Sequence, residues 1–354
     1  MSHDNGFKIG DRTVGPNAAP FVIAEMSGNH NRSLDRALEI VDAAAAAGAH
    51  GLKLQTYTPD TLTLPISSGD FLIDDEDSLW HGRSLHDLYQ VAATPWEWHK
   101  AIFARAREKG ILAFSTPFDE TAVDFLEDLD VPCHKIASFE NAHLPLIRKV
   151  AATGKPLIIS TGMASLAELD ETVRTAREHG CNDLVLLKCT STYPASPENT
   201  NLRTIPHLRE LFDCEVGLSD HTLGIGTGVA SVALGATVIE KHFTLNREDG
   251  GVDSAFSMEP TEMRALVEET ERAWLALGGV RYGPLPIEMP SRRFRRSLYI
   301  AEDVAAGETL TSQNLKVVRP GYGLAPKYLE TLLGMSVNVD LPAGTAMKWE
   351  FLGG

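Results

Sequence analysis

The sequence is short of positive charge. Thirty-two lysines and arginines stand against 48 aspartates and glutamates, a formal net charge of −16. That argues against nucleic acid or an anionic membrane as the main partner, because both reward a basic surface. It leaves anionic small molecules open, since a few buried lysines or a metal ion override the average field locally. Cysteine is also scarce. Cys133, Cys181, Cys189 and Cys214 show no CxxC spacing and lie in or beside apolar runs. This predicts buried thiols in a reducing compartment, hence a cytoplasmic protein. Residues 1–10 are polar, so no signal peptide is expected. No apolar run approaches the length of a membrane span, and the Ala-rich 41–48 reads as one face of a helix. There is no low-complexity segment, and no Gly-rich dinucleotide turn follows the first strand pattern.

What is present is ordinary globular composition, 43% hydrophobic and 23% charged. At 354 residues the chain is too long for one small domain. It suits a barrel of about 250 residues with an accessory domain. Strand patterns fall at residues 21–25, 51–55, 112–116, 134–138, 157–161, 184–189, 215–219 and 237–242. Helical patterns at 34–47, 96–109, 120–129, 144–152, 166–179, 226–235 and 261–277 separate most of them. Ser33 is a plausible N-cap, Pro95 precedes a first turn and Gly180 follows a last one. Eight strands alternating with helices predict a closed (β/α)₈ TIM barrel, with a doubly wound open sheet as the competitor. A small hairpin turning at Gly10-Asp11 is expected over 7–14.

One connection breaks the rhythm. Residues 57–94 leave the C-terminal end of the second strand, are acidic at 74–77, and carry Trp80 and Tyr89. They form either a surface excursion or a lid that shapes a substrate site. After Leu277 the texture changes again. Pro284, Pro286 and Pro290 mark a stiff linker that ends in the basic run 291–296, read as a solvated face. From Ser297, short β segments with glycine turns predict a compact, mostly β domain. The expected division is a barrel over 1–283, a linker over 284–296 and a small β domain over 297–354.

The stretch 214–260 organises the chain. Two strand patterns end near His221 and His242, with a short helix pattern between them. That unit should bring both strand ends side by side at one edge of a parallel sheet. Two imidazoles carried this way can share a metal ion. The alternative is two unrelated histidines at loop starts. Asp220, Glu240 and Asp253 are expected to surround them with carboxylates. In a barrel, the residues at C-terminal strand ends converge on one pocket. In order these ends supply Glu25 with the following Ser27-Gly28-Asn29-His30, then Lys53 and Gln55, Ser115 and Thr116, Lys135 and Ser138, Ser160 and Thr161, Lys188 with Thr190 and Tyr193, Ser219, His221 and His242. Lysines inside strands are unusual, because burying an unpaired ammonium is costly. With several hydroxyls they suggest a phosphate or carboxylate cradle, unless each merely pairs with a neighbouring carboxylate. The expected pocket therefore holds a two-histidine metal site, a cationic cradle and a free carboxylate, Glu25. It suits aldol-like condensation or phosphate elimination on a phosphorylated substrate better than hydride transfer, for which no cofactor site is evident. A Schiff-base aldolase using one lysine is the chemical rival.

Seven motifs together carry a family resemblance: EMSGNHN from Glu25, KLQTY from Lys53, STPFD from Ser115, KIAS from Lys135, STGMA from Ser160, GLSDHT from Gly217 and EKHF from Glu240. From about Phe7 to Leu352 the chain resembles the sialic acid synthase family. These are phosphoenolpyruvate-dependent nonulosonate synthases with a C-terminal antifreeze-like (SAF) domain. SGNHN, KIASFE, KCTSTYPA and GGVDSAFSMEP resemble the pseudaminic acid branch more than the N-acetylneuraminate branch. The resemblance implies condensation of phosphoenolpyruvate with an open-chain amino-sugar aldehyde, giving a nine-carbon keto-sugar acid and phosphate. The pseudaminic branch implies 6-deoxy-AltdiNAc as that sugar, with N-acetylneuraminate or legionaminate synthesis as the alternatives. An inactive carbohydrate-binding protein is the alternative of another class.

By the same resemblance, His221 and His242 hold Mn²⁺ or Mg²⁺, and Glu25 steers or deprotonates water. Lys53, Thr116, Lys135, Ser138, Ser160 and Ser219 hold phosphoenolpyruvate, while Gln55, Tyr193 and Asp253 face the sugar. Arg319, in the RPGYG turn, matches an arginine that reaches the other subunit's site, which implies a domain-swapped homodimer.

Overall fold

A computed structural model of the chain describes residues 6–76 and 78–353. The first five residues of the polar N-terminal stretch, and Asp77 of the acidic run, lie outside the described residues. The chain divides into two compact units, Met1–Gly278 and Gly279–Gly354.

The first unit opens with the expected hairpin, β1 (Phe7–Ile9) antiparallel to β2 (Arg12–Val14). Eight parallel strands then close into a barrel. They are β3 (Phe21–Glu25), β4 (Gly51–Thr56), β5 (Leu112–Pro117), β6 (His134–Ile136), β7 (Leu157–Ser160), β8 (Leu184–Cys189), β9 (Glu215–Ser219) and β10 (Val238–His242). Spatial order follows chain order, and β10 returns to pair with β3, so the sheet has no edge. β3, β7, β9 and β10 are buried along their whole length. Burial on both faces is why these strands read as continuous rather than alternating apolar runs. β6 stops two residues short of the expected 138, which leaves Ser138 on a loop.

The helices of this unit are α1 (Leu34–Ala46), α2 (Pro59–Leu62), α3 (Leu85–Ala92), α4 (Trp96–Glu108), α5 (Glu120–Asp128), α6 (Leu144–Ala151), α7 (Leu166–Glu178), α8 (Thr204–Phe212), α9 (Gly226–Ala233) and α10 (Pro260–Leu277). Local chemistry sets several starts. The Ser33 hydroxyl accepts from the Arg36 N–H, the Asp119 carboxylate caps α5, and Ser165 with Glu168 forms a capping box on α7. α8 has no counterpart among the expected helices. Its first residues carry no side-chain cap and include Pro206, yet Ile205, Leu208 and Phe212 bury one face at helical spacing. The long connection after β4 contains α2, α3 and a bridge between Leu72 and Ser84, so it is folded rather than a loose excursion. All four cysteines are buried free thiols. Among the described residues, no helix is long and apolar enough to cross a membrane.

The second unit has its own apolar core, including Leu298, Ile300, Leu315, Leu332 and Met347. β11 (Ser297–Ile300) pairs antiparallel with β12 (Leu315–Val318). The other expected β segments appear as single bridges, such as Val304 with Leu341 and Val337 with Leu352. A short helix, α11 (Leu329–Leu332), lies between them in sequence. The proline-rich stretch is a 3₁₀ helix over Pro286–Phe294, and residues 291–296 are exposed as expected of a solvated basic run.

Close packing of the barrel is most demanding at Gly217. It sits in β9 opposite Leu187 of β8 and Val238 of β10. A Cβ there would stand 2.1 Å from the Val238 carbonyl oxygen and 2.7 Å from Leu187 Cδ2. The first contact is backbone and cannot swing away. Gly217→Ala is expected to destabilise the barrel by about 1–3 kcal/mol or more. Urea unfolding of the two proteins measures this, and an unchanged midpoint would show that β9 has slack.

Candidate active site

The C-terminal ends of the barrel strands line a cavity of about 390 Å³. Residues two apart on a strand share a face. β4 therefore turns both Lys53 and Gln55 inward, and β10 does the same with Glu240 and His242. Glu25, Lys135, Ser138, Ser160, Tyr193, Ser219, His221 and Asp253 also reach the cavity wall. Thr116 is one step back, where its hydroxyl accepts from Lys53 Nζ at 3.2 Å. Lys188 stays out of the lining, because its ammonium donates to the Cys189 carbonyl at 2.6 Å and to Thr190 Oγ1 at 3.2 Å. Asp220 was expected among the carboxylates around the histidines, but it turns away and pairs with Lys241 at 2.9 Å. Arg319 is exposed and belongs to the second unit.

Two lysines and two carboxylates form the charged floor. Lys53 Nζ is 2.7 Å from Glu25 Oε2 and 3.7 Å from Glu240 Oε1. Lys135 Nζ is 4.0 Å from Glu240 Oε1 and donates to Ser160 Oγ at 2.7 Å. Glu25, expected to be a free carboxylate, is thus paired, and its other oxygen accepts from Gln55 Nε2 at 3.0 Å. Burial lifts the Glu25 carboxyl to about 7, with Lys53 pulling it down and Glu240 pushing it up. Burial also opposes ionisation of Glu240, but Lys135 and Lys53 outweigh it and hold that carboxyl below its ordinary range. Glu240 was visible in the sequence at the same spacing from His242 as Lys53 from Gln55. Only the barrel shows that it faces both lysines.

His221 and His242 come from adjacent strands, as the strand–helix–strand pattern requires. Ser219 pairs with Glu240, and the two imidazole centroids are 5.3 Å apart. Tyr193 packs 4.5 Å from the His221 ring, and Phe256 packs 4.9 Å from the His242 ring. The Thr190 carbonyl lies 2.9 Å from His221 Nδ1. A carbonyl can only accept, so Nδ1 carries a proton and Nε2 is the nitrogen left for a ligand bond. His242 is held far below its ordinary value by burial and then by His221 and the lysines, so it is a neutral imidazole. Its Nδ1 is buried without a hydrogen-bond partner. Burial opposes a charge on His221, but Cys189 and the Thr190 carbonyl outweigh it and raise that imidazole above its ordinary value. A divalent ion takes only deprotonated ring nitrogens, so an ion held by this pair would displace any second proton on His221. Among the described residues, no cluster of three or more His, Cys, Asp or Glu side chains could hold a metal. Further ligands to an ion here would come from substrate and water.

Asp253 accepts from the Ser27 hydroxyl, and Ser27 Oγ accepts from Gln55 Nε2 at 3.1 Å. Glu140 is a further acidic wall residue that the strand-end reading did not find, because it lies beyond β6 on the loop after Ser138. Its Oε2 is buried without a partner. A further part of the lining is apolar and comes from the long connection after β4. Leu62, Ile73, Trp80, Leu85 and Leu88 line the cavity, and the Trp80 indole N–H donates to the Val252 carbonyl at 3.0 Å. That connection is therefore part of the site.

Comparison with known proteins follows the same outline. The sequence profile of the NeuB family matches residues 40–282, and that of the SAF domain matches residues 295–352. The chain is 45% identical to the pseudaminic acid synthase of Campylobacter jejuni, over 93% of this chain and 95% of the relative. It is 42% identical to the pseudaminic acid synthase of Helicobacter pylori, over 93% of this chain and 96% of the relative. The crystal structure of N-acetylneuraminic acid synthetase from Leptospira borgpetersenii superposes with a TM-score of 0.71 at 31% identity. That superposition covers 82% of this chain and 95% of the other.

Burial lifts the Glu140 carboxyl from 4.5 to about 7, against the pull of Lys135. A raised carboxyl favours folding while it stays protonated, and that contribution is lost as pH rises through about 7. Glu140→Gln, which cannot ionise, is therefore expected to be more stable than the parent above pH 7. The difference should shrink as pH falls towards 4.5. Thermal unfolding of both proteins across this range measures it, and a gap independent of pH would contradict the assignment.

Proposed function

The chain belongs to the NeuB family, and from that premise we propose that it is a pseudaminic acid synthase. The reaction joins phosphoenolpyruvate, water and 6-deoxy-AltdiNAc into a nine-carbon 2-keto sugar acid and releases phosphate. The observation that carries this is the two-sided cavity. Buried lysines, hydroxyls and two histidines form one wall, and a folded apolar segment forms the other. The first wall suits an anionic enol phosphate beside an electrophile. The second suits a sugar with a deoxygenated carbon and acetamido methyl groups. The higher identity to pseudaminic acid synthases than to the N-acetylneuraminic acid synthetase supports the same branch.

The residues divide the work by position. Lys53 and Lys135, with Thr116, Ser138, Ser160 and Ser219, hold the phosphate and carboxylate of phosphoenolpyruvate. Gln55, Tyr193 and Asp253 face the sugar. His221 and His242 would hold a divalent ion, Mn²⁺ or Mg²⁺. When bound, that ion polarises the aldehyde oxygen and positions water. C3 of the enol attacks the aldehyde carbon as the C=O π pair moves onto the aldehyde oxygen, which takes a proton to become the new hydroxyl, and C2 is left oxocarbenium-like. Glu25 steers the water that adds there and takes its proton, as a carboxyl shifted towards neutrality can do. The added hydroxyl then loses its proton to the departing phosphate as the C2–O bond breaks, which leaves the 2-keto group and inorganic phosphate.

We assign residues 1–283 to the catalytic barrel, 284–296 to a linker and 297–354 to the SAF domain. We further propose a homodimer in which Arg319 of one copy completes the sugar site of the other. Exposed Phe139, 60% accessible on a loop that lines the cavity, supports a covered barrel mouth. Free buried cysteines suit a cytoplasmic enzyme.

Phosphate release with phosphoenolpyruvate and a panel of N-acetylated amino sugars tests the function. Turnover should be fastest with 6-deoxy-AltdiNAc, and a clear preference for a 6-hydroxylated sugar would move the chain to another branch. Lys53→Ala and Lys135→Ala each lose a charge-assisted contact of roughly 1.5–3 kcal/mol, so the KM for phosphoenolpyruvate should rise by about 10- to 100-fold. A borohydride-trapped adduct on either lysine would instead favour Schiff-base chemistry. Arg319→Ala should fold normally and lose sugar turnover while still binding phosphoenolpyruvate. Mixed with Glu25→Ala, it should regain some activity, because each mixed dimer holds one complete site. Confirmed heterodimers without activity would refute the exchange of Arg319.

A further inference from the structure

Behind the two histidines, one buried ion pair ties the ends of β9 and β10 together. Lys241 precedes His242, and Asp220 precedes His221. Neighbours on a strand face opposite sides, so His242 reaches the cavity while Lys241 turns away from it. Neither Lys241 nor Asp220 lines the cavity. The Lys241 ammonium lies 2.9 Å from Asp220 Oδ2, 2.6 Å from the Thr222 carbonyl and 2.9 Å from the Gly224 carbonyl. Its three protons thus have three acceptors. Asp220 is equally satisfied. Oδ2 also accepts from Thr227 Oγ1 at 2.7 Å, and Oδ1 accepts from the Thr222 N–H at 2.9 Å. The two side chains are 1% and 0% exposed.

The placement has a consequence for His221. β9 ends at Ser219, so His221 sits two residues beyond the last strand residue. Lys241 grips the residue before His221 and the residue after it, from a strand position adjacent to His242. A single ammonium therefore links the backbone of one imidazole to that of the other. Buried ion pairs add little stability over a well-packed apolar pair, and their best-attested use is to fix a register. We propose that the Lys241–Asp220 pair, steadied by Thr227, is the positioning element that sets the spacing of His221 and His242 and hence the affinity of their divalent-ion site. This rests on the reading of the two histidines as the ion's protein ligands.

The test is equilibrium Mn²⁺ binding to the full-length protein, followed by electron paramagnetic resonance of the free ion, with thermal unfolding of the same samples. The parent should bind Mn²⁺, and His221→Ala and His242→Ala should not. Failure at that step overturns the ion site itself. Lys241→Met and Asp220→Asn are then expected to bind Mn²⁺ about 10- to 100-fold more weakly, as when a supporting partner of a metal ligand is removed. A control with similar loss of Tm but remote from the pair, Leu208→Ala in α8, should keep the parent's affinity. Equal weakening in the control would mean that general stability, and not position, sets binding. Thr227→Val touches Asp220 but neither histidine, and it carries the test if the charged variants do not fold. It should weaken Mn²⁺ binding by about threefold or more, the scale of one neutral hydrogen bond. Parental affinity in the folded Lys241 and Asp220 variants, or in Thr227→Val where only that variant folds, would overturn the proposal.

Discussion

Mutual charge compensation in the barrel mouth is the constraint on which the site depends. Lys53, Lys135, Glu25 and Glu240 are all buried, and each would be costly there alone. Removing one member of a buried pair typically costs about 3–5 kcal/mol, because its partner is stranded. The barrel tolerates the four because Lys53 reaches both carboxylates and Glu240 reaches both lysines. The same arrangement prepares the site for an anion. On the proposed function, a phosphate entering the cradle would compete with Glu25 for Lys53, which would free the Glu25 carboxylate to accept a proton.

The barrel supplies the rigidity of the charged floor. Every group in the charged floor comes from a strand held on both sides by its neighbours. His221 is different, since it stands on the turn after β9. The site compensates with a polar network outside the cavity, in which Lys241 and Asp220 hold that turn to β10. The apolar wall is different again. It is built from a segment between β4 and α4, with its own short helices and with Trp80 anchored to the Val252 carbonyl. A catalytic floor on strands and a specificity wall on a loop is a division common to barrel enzymes, because loops can change without disturbing the strands.

Much of this was legible in the sequence. The alternation of short buried runs with amphipathic helices is a local signal, and it specified an eight-stranded barrel with limits good to about two residues. Barrel closure then turns strand ends into neighbours, so Glu25, Lys53, Lys135, His221 and His242 could be named together before any contact was known. Helix α8 was not legible, because Pro206 and an uncapped start obscure a face that only packing reveals. Glu140 was missed because it lies on a loop, where no periodicity assigns a direction.

The proline-rich stretch with the glycine turns after it marked the second unit, and local periodicity determined the fold class and the set of polar residues at one end of the barrel. It could not determine which of them touch. Lys53 and Glu25 are 28 positions apart, and Asp220 and Lys241 are 21 apart. Their pairing depends on strand register and on which side each chain end turns after it leaves the sheet. Tertiary structure therefore decided that Glu25 is paired and not free. It turned Asp220 away from the histidines and folded the long acidic connection over the cavity as an apolar wall. The physical reason is range. Dihedral preference and hydrophobic spacing act over a turn or a strand, whereas charge pairing and burial are settled only when the barrel closes.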